Sequence, residues 1–597
     1  MIIQHEMSGG IGESNGLSSD VKRRKLDTYP DTSRNISVYN ISSRHPLNVK
    51  PSGNSYLTLE NEELIRAKQN SLGDLAVFPE ELLMEILTYV DDKETLRNLS
   101  QTSRLLYAYL YDEDIWKKLY VKSLDDPQHK DDYKDWNGSW RSTVLKVKEK
   151  YQANIVLPDN LLCSDLLYRP FQCSQINYDK VFSKIIAEEE MYHRDALSNN
   201  LKTLQRGRIQ RIPESQMSLQ DFNQKYHDMP FILTNNDNTR WPKWNFSSLL
   251  SRFPDVKFRQ EAVEWNLSLY NDYLKSNRDE NPLYLFDCSS VAMKTLRKEY
   301  KAPEIFQEDL FTYFNLNDGK NNCRPDHAWL IVGPERSGST FHKDPNYTSA
   351  WNAALTGRKL WVMLPPDITP PGVGTDEEES EVTSPVGIAE WVISGFFNDS
   401  LKIKECLVGI THPGECMYVP SGWWHSVINL DDSVALTQNF VPISKLTNVL
   451  NFLKNKREQL SGFRPNSVKE TLDYAIDSLL QNKENNEDIT KLKEYREKFD
   501  SLNLGEKLIN EDCGEILTSQ LPAMPVYELF KQLLILNGKE EELKTALGEL
   551  EKLEARNKAK ITGKSEAWEK LTTPATEDGP TGFSFGFNLE EESSDEE

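Results

Sequence analysis

Residues 338–361 read GSTFHKDPNYTSAWNAALTGRKLW, and residues 420–440 read PSGWWHSVINLDDSVALTQNF. Between them they supply His342, Asp344 and His425. In an extended chain positions i and i+2 face one side, so a strand through 342–344 aims His342 and Asp344 together. His425 arrives from a distant strand, and the turn Pro420-Ser421-Gly422 before it can direct it to the same place. Two imidazoles and one carboxylate are the ligand set that holds a non-haem Fe(II) on one face and leaves the opposite positions open for chemistry. An HxD triplet alone recurs by chance in ordinary proteins, so the surrounding residues decide its weight.

Alternation along Ser433–Phe440 places Ala435, Thr437 and Asn439 on one face and Val434, Leu436 and Phe440 on the other. The first face is small and polar, suited to a ligand, and the second is apolar, suited to a core. A hairpin is expected in SAWNAALTGRKLWVML with its turn at Thr356-Gly357, which puts Lys359 on a face with Trp361 and Met363. A lysine among such neighbours is costly to bury unless an anion pairs with it. The plainer alternative is a strand-end lysine reaching solvent. Further β-rich runs (PFILTN, PLYLFD, HAWLIVGP, ECMYVP), punctuated by Pro, Gly and Asn, extend this pattern over 201–445 and predict a barrel or sandwich.

The chain of 597 residues is too long for one core, and its net charge of -23 argues against strong direct nucleic-acid binding while favouring basic protein partners. Seven scattered cysteines without a CxxC pair fit neither a zinc framework nor a secreted disulfide scaffold, so a reducing compartment is expected. No apolar run reaches membrane-spanning length, and no membrane partner is expected. Residues 1–72 are rich in Ser, Asn, Asp and Gly and read as a disordered tail. Within it, Lys22-Arg23-Arg24-Lys25 is either an import signal or a solvated charge run.

The first folded segment starts at VFPEELLMEILTYV, where Leu82, Leu83, Ile86, Leu87 and Val90 recur at helical spacing behind Pro79. TLRNLSQTSRLLYAYL and DEDIWKKLYVK follow as further helices, the latter with Ile115, Trp116 and Leu119 on one side. This order resembles the F-box, over 73–122. Phe78 replaces the usual leucine before Pro79, and Ile115-Trp116-Lys117-Lys118-Leu119 matches the closing element. The resemblance implies docking on a Skp-type adaptor of a cullin–RING ubiquitin ligase; a purely structural three-helix unit is the alternative. Residues 123–200 read as a helical connector packing this unit onto the next. Helical periodicity returns over 446–565, and 566–597 form an acidic disordered tail ending Ser593-Ser594-Asp595-Glu596-Glu597, which resembles an acidic-kinase site.

The two motif stretches, with NPLYLFDCS and FQEDLFTYF upstream, resemble the Jumonji C (JmjC) family of Fe(II)/2-oxoglutarate oxygenases, nearest the branch of bifunctional arginine demethylases and lysyl hydroxylases. The resemblance covers 201–445, with the catalytic core over about 280–445. It implies an α+β multidomain chain: a small helical F-box, then a double-stranded β-helix (cupin or jelly-roll) domain, then C-terminal helices. By position it implies that His342, Asp344 and His425 are the iron ligands and the catalytic centre. Lys359 matches the lysine that pairs with the distal carboxylate of 2-oxoglutarate. Tyr284, Ser339, Asn352, Thr437 and Asn439 match or adjoin further polar groups around the cosubstrate. Trp423 and Trp424 are expected to pack the wall near His425. The departure is Phe341-His342-Lys343 in place of a more apolar neighbourhood, which puts substrate fit in question. The implied cofactors are Fe(II), 2-oxoglutarate and O2.

The expected function is a protein oxygenase, hydroxylating lysine or demethylating N-methyl arginine or lysine in histones or other basic proteins, in the nucleus with the cytoplasm also open. The acidic segment Asp376-Glu377-Glu378-Glu379-Ser380-Glu381 either steers such substrates or is a solvated loop. The alternative function is an F-box receptor that uses the barrel mainly to capture targets. A metal cupin isomerase leaves Lys359 and Thr437 unexplained.

Overall fold

The computed structural model describes residues 45–49, 61–125, 133–148, 157, 162, 164–198, 207–316, 323–376, 379, 382–384, 387–481, 487–503 and 520–572. The basic cluster 22–25, most of both expected tails and four residues of the acidic segment lie outside them. The expectation of disorder fails where the tails are described: Glu62–Leu72 is a helix that buries Leu72, Leu47 and Val49 are buried as well, and helix Glu540–Thr572 runs past 566. The chain divides into two compact units. The first comprises Met1–Lys445 with Glu458–Ser467, and the second Leu446–Arg457 with Val468–Glu597.

In the first unit the strands are β1 (Gln210–Pro213), β2 (Phe231–Thr234), β3 (Lys257–Gln260), β4 (Val263–Asn266), β5 (Leu285–Asp287), β6 (Ala328–Gly333), β7 (Gly338–His342), β8 (Ser349–Thr356), β9 (Lys359–Leu364), β10 (Gly374–Thr375), β11 (Val382–Thr383), β12 (Leu407–Thr411), β13 (Cys416–Val419), β14 (Trp424–Asn429) and β15 (Ser433–Phe440). Nine form a large sheet in the order β1-β2-β13-β8-β15-β6-β5-β3-β4, and four form a smaller one, β12-β9-β14-β7. Both are almost wholly antiparallel, and side chains from both meet between them. Ile232, Ala350, Met417 and Val419 of the large sheet pack with Trp361, Met363 and Val427 of the small one. This is the sandwich that the strand spacing allows, in the jelly-roll form that the resemblance implies.

One expectation fails. Strands β8 and β9 are not a hairpin: β8 pairs with β13 and β15, and β9 with β12 and β14. The connection at Gly357, φ +74, carries the chain from one sheet to the other, and a Cβ there would lie 2.5 Å from the Asp432 carbonyl. Lys359 nevertheless keeps the face it shares with Trp361 and Met363, because the strand period does not depend on the partner.

The outer face of the large sheet is packed by Phe222 and Phe306 of the barrel domain itself, against Phe231 and Tyr418, and the N-terminal helical segment joins the same core at Trp265 of β4. Helix Glu80–Thr88 buries Leu83 and Leu87, and helix Glu113–Asp125 buries Ile115, Trp116 and Tyr120. TLRNLSQTSRLLYAYL breaks at Ser103, whose hydroxyl caps helix Arg104–Tyr109 by accepting from the Leu106 amide. Trp140 joins this segment to the barrel: its indole N–H donates to Asp279 at 2.8 Å, and the Tyr273 hydroxyl donates to the same carboxylate at 2.6 Å. Trp265 donates to the Tyr120 hydroxyl at 2.9 Å. The second unit is helical. Helices Leu446–Asn455, Glu487–Leu502 and Val526–Leu536 bury Leu450, Leu492 and Phe530. No helix among the described residues is long and apolar enough to cross a membrane.

Candidate active site

Strand β7 ends at His342, and Asp344 follows in extended geometry, φ −63° and ψ 145°. The small sheet pairs β14 with β7 so that His425 stands opposite His342. Their rings lie 4.2 Å apart between centroids. One donor atom from each of His342, Asp344 and His425 lies within 4.8 Å of the other two. The turn before His425 is held by its glycine: Gly422 has φ +77, and a Cβ there would meet the Tyr347 hydroxyl at 2.2 Å. The Ser421 hydroxyl donates to the Tyr347 carbonyl, so the two ligand-bearing turns are tied to each other.

The residues fit a metal. His342 Nδ1 lies 2.8 Å from the Thr340 carbonyl and His425 Nδ1 lies 3.1 Å from the Trp423 carbonyl. Each Nδ1–H therefore donates to main chain, and each Nε2 keeps its lone pair for a ligand bond. Asp344 Oδ2 is buried with no hydrogen-bond partner. Burial raises the Asp344 carboxyl above its usual range, against the opposing pull of His342 and an Asn439 hydrogen bond. Burial, reinforced by His342, pushes His425 well below the usual imidazole value, so the ring is neutral. Two imidazoles whose Nδ1–H groups are engaged by main chain, the His425 ring neutral, and an under-satisfied carboxylate form a site that a dication completes.

At the far end of the same inner face Lys359 is fully buried. Its ammonium donates to Asn429 Oδ1 at 2.8 Å and to the Tyr284 hydroxyl at 3.2 Å. Burial alone lowers it to about 7 and raises Tyr284 above its ordinary range. No carboxylate is among these contacts, which leaves a buried cation suited to an anionic ligand. The remaining residues expected around a cosubstrate are also on β-strands facing the interior. Asn352 and Thr437 stand opposite one another, and Asn352 Oδ1 is buried without a partner. The Thr437 hydroxyl donates to the Trp351 carbonyl at 2.9 Å, and Asn439 Nδ2 donates to Thr348 at 2.8 Å. Ser339 is half-buried on β7, opposite Val427. Trp424 is buried in the outer core and Trp423 packs between the sheets. Asn429 was not expected. It faces Lys359 across the β14–β9 ladder and donates to the Ser337 hydroxyl at 2.9 Å, so it orients the ammonium.

Two other groups of metal-type side chains converge among the described residues. In the first, His193 stacks on His412 with centroids 4.3 Å apart, and both face Glu415. Glu415 already has a counter-ion, because Arg211 Nε donates to it at 2.8 Å while Arg211 also pairs with buried Glu189 at 2.7 Å. Burial would raise the Glu415 carboxyl, but Arg211 and the two histidines outweigh it and hold it well below the usual range. This ion network pins helix Ser183–Leu197 to the barrel. Arg211→Met strands two buried carboxylates and is expected to cost about 3–5 kcal/mol in thermal or urea unfolding; wild-type stability would contradict the assignment. In the second group Cys173 lies 3.6 Å from Glu390. Burial, then Glu280 and Glu390, push its thiol up, the reverse of what a thiolate ligand needs.

An antiparallel jelly roll with a two-histidine, one-carboxylate centre at one end and a buried ammonium at the other defines a cupin-type oxygenase. Residues 198–446 match the family model described as a cupin-like domain, and residues 75–122 match the one described as F-box-like. The chain is 36% identical over 433 residues to the arginine-specific demethylase JMJ22 of Arabidopsis thaliana, covering 69% of this chain and 77% of that one. It is 34% identical over 263 residues to the bifunctional arginine demethylase and lysyl-hydroxylase psr-1 of Caenorhabditis elegans, 40% of this chain and 63% of that one. It is 27% identical over 209 residues to the 2-oxoglutarate and iron-dependent oxygenase JMJD4 of Mus musculus, 32% of this chain and 44% of that one. The chain belongs to the Jumonji C family of Fe(II)/2-oxoglutarate-dependent oxygenases and carries an F-box-like domain ahead of the oxygenase domain.

Proposed function

We propose that this oxygenase acts on lysine or arginine side chains of basic, nuclear proteins, with His342, Asp344 and His425 holding Fe(II) and Lys359 gripping the distal carboxylate of 2-oxoglutarate. The observation that carries the reading is the pairing of the three converging donors with a buried ammonium on one interior face. When bound, Fe(II) and 2-oxoglutarate supply the oxidising power: O2 and 2-oxoglutarate are consumed, CO2 and succinate leave, and one C–H bond becomes C–OH. On a side-chain methylene the alcohol is stable. On an N-methyl group it collapses, releasing formaldehyde and the demethylated nitrogen. The protein's own residues would fix the anion at Lys359, whose ammonium Asn429 orients, and would turn Nε2 of both histidines to the metal by engaging each Nδ1–H with main chain. The similarity to an arginine-specific demethylase and a bifunctional demethylase and lysyl-hydroxylase supports the choice of basic side chains. The net charge of -23 and the acidic segment 376–381 support a basic partner. The test is succinate formation from 2-oxoglutarate with Fe(II) and Lys/Arg-rich peptides, with mass spectrometry separating added oxygen from lost methyl groups. Stimulation by no basic peptide, methylated or not, would overturn the substrate class.

The F-box-like segment is proposed to dock a Skp-type adaptor of a cullin–RING ligase. Its helix Glu80–Thr88 carries a second apolar row turned to solvent: Leu82 is 43% exposed, Ile86 37%, and Tyr89 just beyond it 75%. Such a row needs a partner surface. The double substitution Leu82→Asp with Ile86→Asp is expected to abolish adaptor pull-down while succinate formation continues. Failure of the intact protein to bind the adaptor would leave the helices as a structural cover for the barrel.

A further inference from the structure

Lys343 lies between two of the three candidate metal ligands, yet strand alternation turns it to the opposite side. There it faces the outer core of the small sheet, where Phe341, Leu364 and Trp424 are buried. Its side chain is 14% exposed, and three chain segments converge on its ammonium. The ammonium sits 4.6 Å from the centroid of the Trp424 ring, the residue immediately before His425. It donates at 3.0 Å to the carbonyl of Pro366, just beyond β9, whose Leu364 stands opposite Trp424. It donates at 2.6 Å to Glu379 Oε2 of the acidic segment. That segment is closed at its base by the β10–β11 ladder, and the Glu379 amide donates to the Asp376 carbonyl at 3.1 Å.

We propose that Lys343 is a positioning residue for the metal centre: its ammonium ties the His342–Asp344 segment to the His425 strand from behind, and Glu379 couples the acidic insertion to that tie. His342 and His425 face each other across the β7–β14 ladder, but Asp344 lies beyond the end of β7 and lacks ladder bonds to fix it. A cation held over an indole face, with a carbonyl and a carboxylate in its shell, adds fixation from behind to the Asn439 hydrogen bond on Asp344. The insertion is thus more than a solvated charge run, since one of its carboxylates is spent on the back of the site. Partners that orient metal ligands from outside the coordination sphere commonly contribute about ten- to a hundredfold in metal affinity.

The proposal rests on the metal-site reading but not on the substrate. Its test is titration of the metal-free full-length chain with Co(II), followed by the ligand-field absorption, for wild type, Lys343→Met, Lys343→Arg and Glu379→Gln. Lys343→Met is expected to weaken Co(II) binding about ten- to a hundredfold, while Lys343→Arg, which keeps the cation, stays near wild type. Glu379→Gln is expected to fall between them and to lose the weakening by added salt that a half-exposed ion pair confers. Wild-type affinity in Lys343→Met overturns the proposal, and equal losses in the Met and Arg variants overturn the role of the charge. If Lys343→Met fails to fold, Glu379→Gln decides, and unchanged affinity and salt response there overturn the coupling. A wild-type chain that binds no Co(II) is a separate result, overturning the metal site and this proposal together.

Discussion

Asp344→Ala is expected to yield a folded protein that makes no succinate above background and binds metal more than ~100-fold more weakly than wild type, exceeding the usual effect of losing an outer partner. The same substitution is expected to leave the metal-free protein at least as stable as wild type. Asp344 is buried, one of its oxygens has no partner, and burial raises its carboxyl. A group placed for a metal rather than for the fold costs stability when the metal is absent, and removing it relieves that cost. Melting temperatures in chelator, beside metal titration and succinate assay, check both halves. A large drop in metal-free stability would mean that Asp344 is structural.

The second large effect is on 2-oxoglutarate. Burial lowers Lys359 to about 7 in the free protein, and a bound carboxylate must raise it. The complex therefore holds a proton that the free protein loses as pH rises, so affinity is full below that value and declines above it. The dissociation constant for 2-oxoglutarate is expected to be flat at acidic pH and to rise by roughly tenfold per pH unit above about 7. Lys359→Met removes the cation and strands the carboxylate, a loss of about 3–5 kcal/mol, and it should also abolish this pH dependence. Calorimetry in two buffers of different ionisation heat reads the proton uptake directly. A pH-independent affinity in wild type, with Lys359→Met binding normally, would remove Lys359 from the site.

Much of this centre was legible because its signals are local. The period of two over Ser433–Phe440 separates Ala435 and Thr437 from Val434 and Leu436, and the structure keeps that division, with Ala435 beside Tyr284 and Val434 in the main core. The HxD spacing places His342 and Asp344 together without knowledge of the fold. What was not legible depends on register between distant segments. Asn429 has no motif of its own, and its role appears only when the β14–β9 ladder sets it opposite Lys359. The supposed β8–β9 hairpin failed because a tight glycine turn can join two sheets as well as two neighbouring strands. The Glu189–Arg211–Glu415 network spans more than 200 positions, and Trp140 meets Asp279 across 139. Neither could be found from composition or spacing. Lys343 was visible only as an odd residue beside the ligands; its reason emerges when Trp424, Pro366 and Glu379 are placed around it.

The most direct measurement is a crystal structure of the full chain with Mn(II), an oxygen-stable substitute for Fe(II), and 2-oxoglutarate. The account predicts one metal bound by Nε2 of His342, a carboxylate oxygen of Asp344 and Nε2 of His425, with the distal carboxylate of 2-oxoglutarate against Lys359. Metal at His193, His412 and Glu415 instead, or 2-oxoglutarate bound away from Lys359, would contradict it.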